Sequence, residues 1–268
     1  MLILYQINQN FPFPCYNLAE RGAIVISEQR ILAISDIHGC YDEFQLLLER
    51  IQFDSSSDRL ILLGDYMDRG PKSKQTLERV MELVNLGASA LRGNHDQMFL
   101  DFINSDNPKR AQHYMMNGGQ VTLETYVGKE HFENGVTMEN LESAKSYIKT
   151  HYQDHIDFIS GLLYYVETDN HLFIHAGIDP GLDDWRDTPE YDMIWIRDAF
   201  FRAEHPYDFT VVHGHTPAQF IRGDKDNNIY FGNKKIGIDG ACAYGGRLNC
   251  LIINGKNYQE MFVDSGEI

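Results

Sequence analysis

The residues best suited to chemistry lie in the segment 60–70, where Asp65, Asp68 and Arg69 follow a run of four apolar residues. The apolar run predicts a buried strand that ends at Gly64. Open α/β sheets bind ligands at the carboxyl ends of their strands, so two carboxylates and a cation in this turn favour a site for a metal and an anion. The alternative is a solvated turn with a surface ion pair, which is common in loops.

A second apolar run, residues 30–35, ends in Asp36 and His38. In an extended chain these two positions point in the same direction, so the carboxylate and the imidazole would converge on one point. Such a pair suits Zn, Mn or Fe. Three more apolar runs end in residues of ligand type, in the segments 92–96, 175–177 and 213–217. A single histidine after a strand is more often a packed or surface residue, but five such strand ends together indicate one shared site.

These five motifs, D-x-H, G-D-x-x-D-R-G, G-N-H-D, H-A-G and H-G-H-T, resemble those of the phosphoprotein phosphatase family of binuclear metallophosphoesterases, including its compact bacterial and phage members. The resemblance covers about residues 30–263. Ser35 stands where many members have Gly, and Asp96 where many have Glu. Neither position is a metal ligand in the family, so the departures leave the assignment intact.

The resemblance implies two divalent metal ions, with Mn preferred and Fe or Zn as alternatives. It assigns Asp65 the role of the ligand that bridges both ions. The full set of implied metal ligands is Asp36, His38, Asp65, Asn94, His175 and His215. His213 competes with His215, because two positions along an extended strand point the same way and spacing alone cannot separate them.

The resemblance also implies a catalytic group around the metals. The predicted nucleophile is a metal-bridging hydroxide, formed because two cations lower the pKa of a shared water. His95 would protonate the leaving oxygen as general acid, and Asp68 would orient His95 and keep it protonated. The arginines predicted to clamp the phosphoryl oxygens are Arg69, Arg92 and Arg197. For Arg197 the alternative is a surface ion pair with Asp198 or a neighbouring residue.

The elements that must position these residues alternate between strand and helix up to about residue 104, which predicts parallel strands. Strands without intervening helices follow at 235–239, 247–253 and 258–263, which indicates an antiparallel region. We therefore expect a mixed α/β fold of two stacked sheets flanked by helices, an α/β/β/α sandwich like the calcineurin-like metallophosphoesterases. The turn 238–246, with Tyr244, is similar to a family segment that borders the site, although a plain Gly-rich hairpin is an equal alternative.

We predict a single domain over residues 1–268 that includes two further segments. Residues 1–29 form an N-terminal extension, interpreted as an edge hairpin with strands near 2–7 and 23–26. Residues 105–161 have a polar helical pattern, which predicts an inserted helical cap over the site mouth. The alternative is a plain packing element of the same layer.

Composition limits the class of protein. The formal net charge of −16 argues against a nucleic-acid-binding surface, which needs clustered Lys and Arg. No apolar run approaches the length of a membrane span, and the four scattered cysteines indicate no disulfide framework, so we expect a cytoplasmic protein. The oligomeric state stays open.

The leading functional hypothesis is a serine/threonine protein phosphatase that acts on a phosphoprotein or another phosphorylated substrate. The alternative is a symmetrical bis(5'-nucleosyl)-tetraphosphate hydrolase, because sister members of the family share every motif. The acidic charge argues against a nuclease. A catalytically silent scaffold is also disfavoured, because no implied ligand or catalytic position is missing.

Overall fold

The computed structural model describes residues 22–24 and 29–267, and side chains from residue 29 onward. The strands, in chain order, are β1 (Gly22–Ile24), β2 (Arg30–Ile34), β3 (Asp58–Leu62), β4 (Ser89–Ala90), β5 (Tyr165–Glu167), β6 (His171–Ile174), β7 (Thr210–His213), β8 (Tyr230–Gly232), β9 (Lys235–Gly237), β10 (Arg247–Asn254) and β11 (Asn257–Asp264). The helices are α1 (Tyr41–Arg50), α2 (Ser73–Asn85), α3 (Asn94–Ile103), α4 (Pro108–Met116), α5 (Gly119–Val127), α6 (Met138–His151), α7 (Gln153–Ser160), α8 (Glu190–Trp195), α9 (Asp198–Arg202) and α10 (Ala218–Arg222). Short 3₁₀ turns lie at Lys129–Phe132, Trp185–Asp187 and Cys242–Tyr244.

These strands form two mixed sheets. The first has the order β11-β10-β2-β3-β4, with β2, β3 and β4 parallel and β10 antiparallel to both β2 and β11. The second has the order β1-β5-β6-β7-β9-β8, in which β6, β7 and β9 are parallel. The two-sheet mixed fold is therefore as predicted. One detail was wrong, because β9, expected in an antiparallel region, pairs in parallel with β7 and antiparallel only with β8.

Alternation along the strands divides the apolar side chains between the layers. In β2, Ala33 lies in the core between the sheets with Phe173 and Val212 of the other sheet. Its neighbours Leu32 and Ile34 face the opposite way, into the core that the first sheet shares with the helices. This period of two is the strand repeat, so each apolar run can serve two cores at once.

A third core covers the outer face of the second sheet. Leu172, Ile174 and Val211 pack there against Trp185 and Phe200. The layers are thus helix, sheet, sheet, helix. Among the described residues, no helix is long and apolar enough to cross a bilayer, and the described cysteines Cys40, Cys242 and Cys250 are free, buried thiols.

The predicted helical segment 105–161 forms helices α4 to α7. Buried side chains from all four helices, such as Tyr114, Leu123, Ile148 and Ile156, join the same core as α1, α2 and α3. The four helices therefore share one core with the helices of the first sheet. The predicted strand near 2–7 lies outside the described residues, while β1 pairs in parallel with β5 at the edge of the second sheet.

Candidate metal centre

The carboxyl ends of β2, β3, β4, β6 and β7 meet at one edge of the molecule. Every predicted metal ligand comes from the short segment that follows one of these strands, and each is at least 95% buried. These residues are Asp36, His38, Asp65, Asn94, His175 and His215. Parallel strands deliver their ends to the same edge, so residues far apart in sequence converge here.

Asp65 stands at the centre of the cluster. Its Oδ2 lies 3.4 Å from His38 Nε2 and 3.5 Å from His175 Nε2, so one carboxylate oxygen faces an imidazole from each sheet. Its Oδ1 accepts a hydrogen bond of 2.8 Å from the backbone N–H of His95. This position between two imidazoles is what a bridging ligand requires.

Backbone carbonyls fix the orientation of both imidazoles. His38 Nδ1 lies 2.7 Å from the carbonyl of Met67, and His175 Nδ1 lies 2.7 Å from the carbonyl of Leu63. A carbonyl can only accept, so Nδ1 carries the proton and donates it. The lone pair of each Nε2 therefore points into the cluster, as in metal-binding histidines held by a backbone oxygen.

The lone pair of His175 Nε2 meets oxygen atoms without an intervening proton, whereas His38 Nε2 also accepts from the Arg69 guanidinium. His175 Nε2 lies 3.0 Å from Asn94 Oδ1, and the same oxygen lies 2.8 Å from His215 Nδ1. An unprotonated nitrogen facing an amide oxygen and the Asp65 carboxylate is unfavourable unless a cation binds all of them. Mixed nitrogen and oxygen donors suit Mn, Fe or Zn, so the residues fit the divalent metals that the family implies.

The buried carboxylates of the cluster also indicate a site for cations. Asp36 is 3% exposed and Asp65 2%, and the sequence analysis missed a third carboxylate, Asp239, which is 4% exposed. Burial, followed by the charge of Asp36, raises the pKa of both Asp65 and Asp239 well above the usual range. Buried carboxylates are normally paired or bound to metals, so the cluster needs cations. The only hint of Asp239 in the sequence was its place in the turn predicted to border the site.

The backbone at the cluster is held in the left-handed region. Six of the nine non-glycine residues with positive φ among the described residues belong to the site: Asp36 (54°), His38 (46°), Asp65 (56°), Asp68 (70°), Arg69 (72°) and His215 (64°). Each such residue costs about 1 kcal/mol or more, and strain of this kind concentrates at functional sites. Asp36 and His38 therefore lie on a left-handed loop and not on the extended strand end that we expected, and Asp36 Oδ2 accepts from the backbone N–H of His215 at 2.9 Å.

The left-handed turn also separates the two histidines that sequence spacing could not. His215 joins Asp65 and His175 in the cluster. His213 is still in β7 and packs its ring against Phe200 and Phe201, at centroid distances of 5.3 and 5.4 Å, in the core behind the second sheet. The two side chains point to different places because the backbone changes direction after Gly214, where His215 adopts a positive φ.

The predicted acid and its partner are in contact. His95 Nδ1 lies 2.8 Å from Asp68 Oδ2, and both side chains are buried. Asp68 Oδ1 also accepts hydrogen bonds from Tyr114 Oη at 2.8 Å and Thr122 Oγ1 at 2.6 Å. These two donors come from α4 and α5, which sequence analysis did not connect with the site because their pattern carries no motif.

Burial shifts both pKa values of this pair. It raises the pKa of Asp68 to about 7, against the hydrogen bonds from Thr122 and Tyr114, and lowers the pKa of His95 well below its ordinary value. The protonated His95 that we predicted is therefore opposed by burial. It needs the Asp68 carboxylate and the negative charge of an incoming phosphoryl group to hold its proton.

Asp96, at the start of α3, was noted in the sequence only as a departure from the family pattern and was given no role there. Its carboxylate accepts hydrogen bonds from the backbone N–H groups of Asp65 (2.9 Å), Tyr66 (3.2 Å) and Gly93 (2.8 Å). It therefore ties the loop after β3 to the loop after β4. The bridging Asp65 and the neighbouring ligand Asn94 are held in one rigid unit.

Two of the three predicted arginines line an open cavity beside the metal ligands. Arg69 contacts His38 Nε2 with its Nη1, and its guanidinium lies 4.9 Å from the ring centroid of Tyr244. Arg197 is exposed and donates to Thr216 Oγ1 at 3.1 Å. The alternative partner of Arg197, Asp198, pairs instead with Arg202 at 2.6 Å.

The contacts of Arg92 do not match the predicted clamp. Its guanidinium donates to Gln97 Oε1 at 3.0 Å, to Tyr164 Oη at 3.1 Å and to the carbonyls of Ile159 and Ser160 at 3.1 and 2.6 Å. Arg92 is 9% exposed. These contacts join the start of α3 to the end of α7, so the arginine acts mainly on the scaffold.

The chain is similar to known proteins over most of its length. Residues 29–243 match the family model of the calcineurin-like phosphoesterases. A symmetrical bis(5'-nucleosyl)-tetraphosphatase of Dechloromonas aromatica (strain RCB) is 53% identical over 68 residues, which is 25% of this chain and 24% of the relative. One from Aromatoleum aromaticum is 45% identical over 83 residues, 31% of this chain and 30% of the relative. These matches span less than a third of the length of the relatives.

Solved structures extend the likeness to nearly the whole chain. A candidate diadenosine tetraphosphatase has a TM-score of 0.64 at 20% identity, over 92% of this chain and 98% of that one. A cold-active protein tyrosine phosphatase gives 0.54 at 16% identity, over 91% and 80%. A serine/threonine phosphatase from Saccharomyces cerevisiae gives 0.53 at 14% identity, over 92% and 84%. At such low identity these structures establish the fold alone.

The matched family model covers most of the chain, and it begins just before the first ligand-bearing strand, β2. The two-sheet fold agrees with the phosphatase structures, and the resemblance to binuclear metallophosphoesterases that the motifs indicated is confirmed. The chain belongs to the calcineurin-like phosphoesterase family.

Proposed function

We propose that the protein hydrolyses dinucleoside tetraphosphates symmetrically, to two nucleoside diphosphates. The sequence alone favoured a serine/threonine protein phosphatase and held this activity as the alternative. The relatives that match the chain are named for the alternative activity, so they support it over the leading hypothesis.

The observation that carries the proposal is the cavity beside the metal ligands, of about 420 Å³. Its lining includes His38, His215, Arg69, Arg197 and Tyr244. Tyr244 is 67% exposed, so its ring keeps accessible aromatic surface even though the Arg69 guanidinium lies 4.9 Å from its centroid. A polyphosphate that carries a nucleobase fits such a lining, because the base can stack on the ring while guanidinium groups bind the phosphates.

Asp36, His38 and Asp65 would hold one divalent ion, and Asp65, Asn94, His175 and His215 the other. When bound, two such ions supply positive charge for the phosphoryl oxygens and lower the pKa of an attacking water. The site then favours an anionic substrate although the chain as a whole carries a formal charge of −16.

The protein's own side chains supply positioning and a proton. Arg69 and Arg197 bind the phosphoryl oxygens and align the phosphorus for attack by water. His95 donates its proton to the oxygen that leaves with the departing nucleoside diphosphate, and Asp68 holds the imidazole in place. Water adds to phosphorus, the central P–O–P bond breaks, and each product carries two phosphates.

The test compares two substrates with full-length protein reconstituted with Mn. Diadenosine tetraphosphate and a phosphoserine peptide are supplied at equal concentrations, and products are separated by chromatography. We expect ADP as the sole nucleotide product, formed faster than phosphate is released from the peptide. Faster turnover of the peptide, or AMP and ATP in place of ADP, would overturn the proposal.

A further inference from the structure

A second cavity lies next to the metal centre and has no role in the chemistry described above. Its volume is about 420 Å³, the same as that of the first cavity. It is enclosed by side chains of α3, α4 and α8 together with Tyr164. The aromatic part of the lining consists of His113, Tyr164, Tyr191 and Trp195.

The floor of this cavity is a pair of stacked rings. Tyr191 and Trp195 lie with centroids 6.0 Å apart and planes inclined by 21°. Tyr191 is 67% exposed, the same fraction as Tyr244 in the first cavity. A large aromatic ring left open to solvent and backed by a second ring is a surface on which a planar base can stack.

Trp195 connects this floor to the metal centre. Its ring meets the ring of the metal ligand His215 edge to face, with centroids 5.9 Å apart and planes at 84°. His215 also lines the first cavity. The two cavities are therefore adjacent through the contact between His215 and Trp195, and each is lined by one exposed tyrosine.

The charges in the second cavity suit a base better than a phosphate. Asp101 and Glu190 line it together with one cation, Arg110. Arg110 is paired with Asp101 Oδ2 at 2.6 Å, so it is not available to neutralise an anion. Carboxylate and amide groups can accept hydrogen bonds from the exocyclic amines of a base, whereas they repel phosphate.

We propose that the Tyr191–Trp195 cavity binds the second nucleoside of a dinucleoside tetraphosphate, opposite the first nucleoside on Tyr244. This inference rests on the proposed function. Cleavage at the central P–O–P bond places one nucleoside diphosphate arm on each side of the reacting phosphorus. Two adjacent cavities of equal volume, each with an exposed tyrosine, provide a stacking surface for each arm.

The test substitutes Tyr191→Ala and measures the full-length Mn-reconstituted protein on two substrates. With diadenosine tetraphosphate, loss of one stacking surface should raise KM about tenfold. With p-nitrophenyl phosphate, which carries no base, kcat/KM should stay within about twofold of the unsubstituted protein. Tyr191→Phe keeps the ring and should restore the low KM.

Tyr147→Ala is the matched control, because Tyr147 is 40% exposed, stacks on His151 and lines neither cavity. Binding can be read separately from tryptophan fluorescence, since the chain has two tryptophans and Trp185 is only 2% exposed. ADP should quench the emission, and Trp195→Phe should remove the quenching.

The outcomes separate this inference from the proposed function. Unchanged KM for diadenosine tetraphosphate in Tyr191→Ala, with normal formation of ADP, would overturn the second nucleoside site and leave the proposed function intact. Failure of the unsubstituted protein to cleave diadenosine tetraphosphate, while it hydrolyses p-nitrophenyl phosphate, would overturn the proposed function and with it this inference. A greater loss of activity on the phosphoserine peptide than on diadenosine tetraphosphate would assign the cavity to a protein substrate.

Discussion

The His95 imidazole and the Asp68 carboxylate form a buried hydrogen bond of 2.8 Å. Asp68 is itself held by Tyr114 and Thr122, so its carboxylate cannot turn away from His95. The pair therefore presents one imidazole in one orientation, beside the ligand Asn94. A fixed imidazole at this position is suited to proton transfer to a leaving oxygen.

Replacing His95 tests that role through the leaving group. We expect His95→Asn to lower kcat on phenyl phosphate by about 100-fold, because phenolate is a strong base that must be protonated as it leaves. On p-nitrophenyl phosphate, whose leaving group is a weaker base, the loss should be much smaller. Equal losses on the two esters would contradict the general-acid role. As a control, Tyr114→Phe removes one hydrogen bond to Asp68 and should lower kcat only slightly on both esters.

Replacing Asp65 tests the bridging position. Asp65→Asn should bind less metal per chain, measured by atomic emission, and should lose nearly all phosphoesterase activity. Metal binding to the folded state stabilises it, so the melting temperature of the unsubstituted protein should rise with added Mn and that of the variant should rise less.

Without metal, the Asp65→Asn variant should be the more stable of the two proteins. Asp65 is buried beside Asp36, so removing its charge should make the metal-free variant more stable than the metal-free parent. An Asp65→Asn protein with full metal content and full activity would contradict the ligand assignment.

The strand ends could be read from the sequence because each combines an apolar run with polar residues that packing does not need. Asp65 after β3 and His175 after β6 are examples. Parallel pairing then brings such ends to one edge, whatever the loops between them contain. This is why most of the metal site was predictable while its supporting residues were not.

The unpredicted residues depend on contacts between distant segments. Tyr114 and Thr122 reach Asp68 only because α4 and α5 pack over the loop after β3. Arg92 follows a ligand-bearing strand, yet the end of α7 captures its guanidinium. His213 and His215 differ through one left-handed residue, which sequence spacing does not reveal.

The contrast between Arg92 and Arg197 yields a prediction about scaffold and substrate. Arg92→Met should lower the free energy of unfolding by about 2–4 kcal/mol, because it leaves the buried carbonyl of Ile159 and the partly buried carbonyl of Ser160 without this donor. Its kcat/KM on p-nitrophenyl phosphate should change little. Arg197→Met should do the opposite, with KM raised about tenfold and stability within about 0.5 kcal/mol of the parent. The finding that would contradict this division is a larger rise in KM for Arg92→Met than for Arg197→Met.

A last prediction concerns pH and a histidine remote from the metal ligands. His171 is 5% exposed, its Nε2 lies 2.7 Å from Tyr258 Oη, and burial lowers its pKa from 6.5 to about 4. Between these values the unfolded chain binds a proton that the folded chain does not. The contribution of His171 to stability is therefore complete above pH 6.5 and is lost as the pH falls towards 4.

Urea unfolding at pH 7.5 and pH 5.0 measures this contribution. His171→Gln keeps a polar group near Tyr258 but does not titrate, so the loss of stability between the two pH values should be smaller than in the parent by about 2 kcal/mol. Tyr258→Phe removes the hydrogen bond but leaves the imidazole buried, so it should keep the parent's pH dependence. The same pH dependence in His171→Gln and the parent would mean that this histidine is already protonated in the folded protein at pH 5, because only a proton bound in both states leaves stability unchanged.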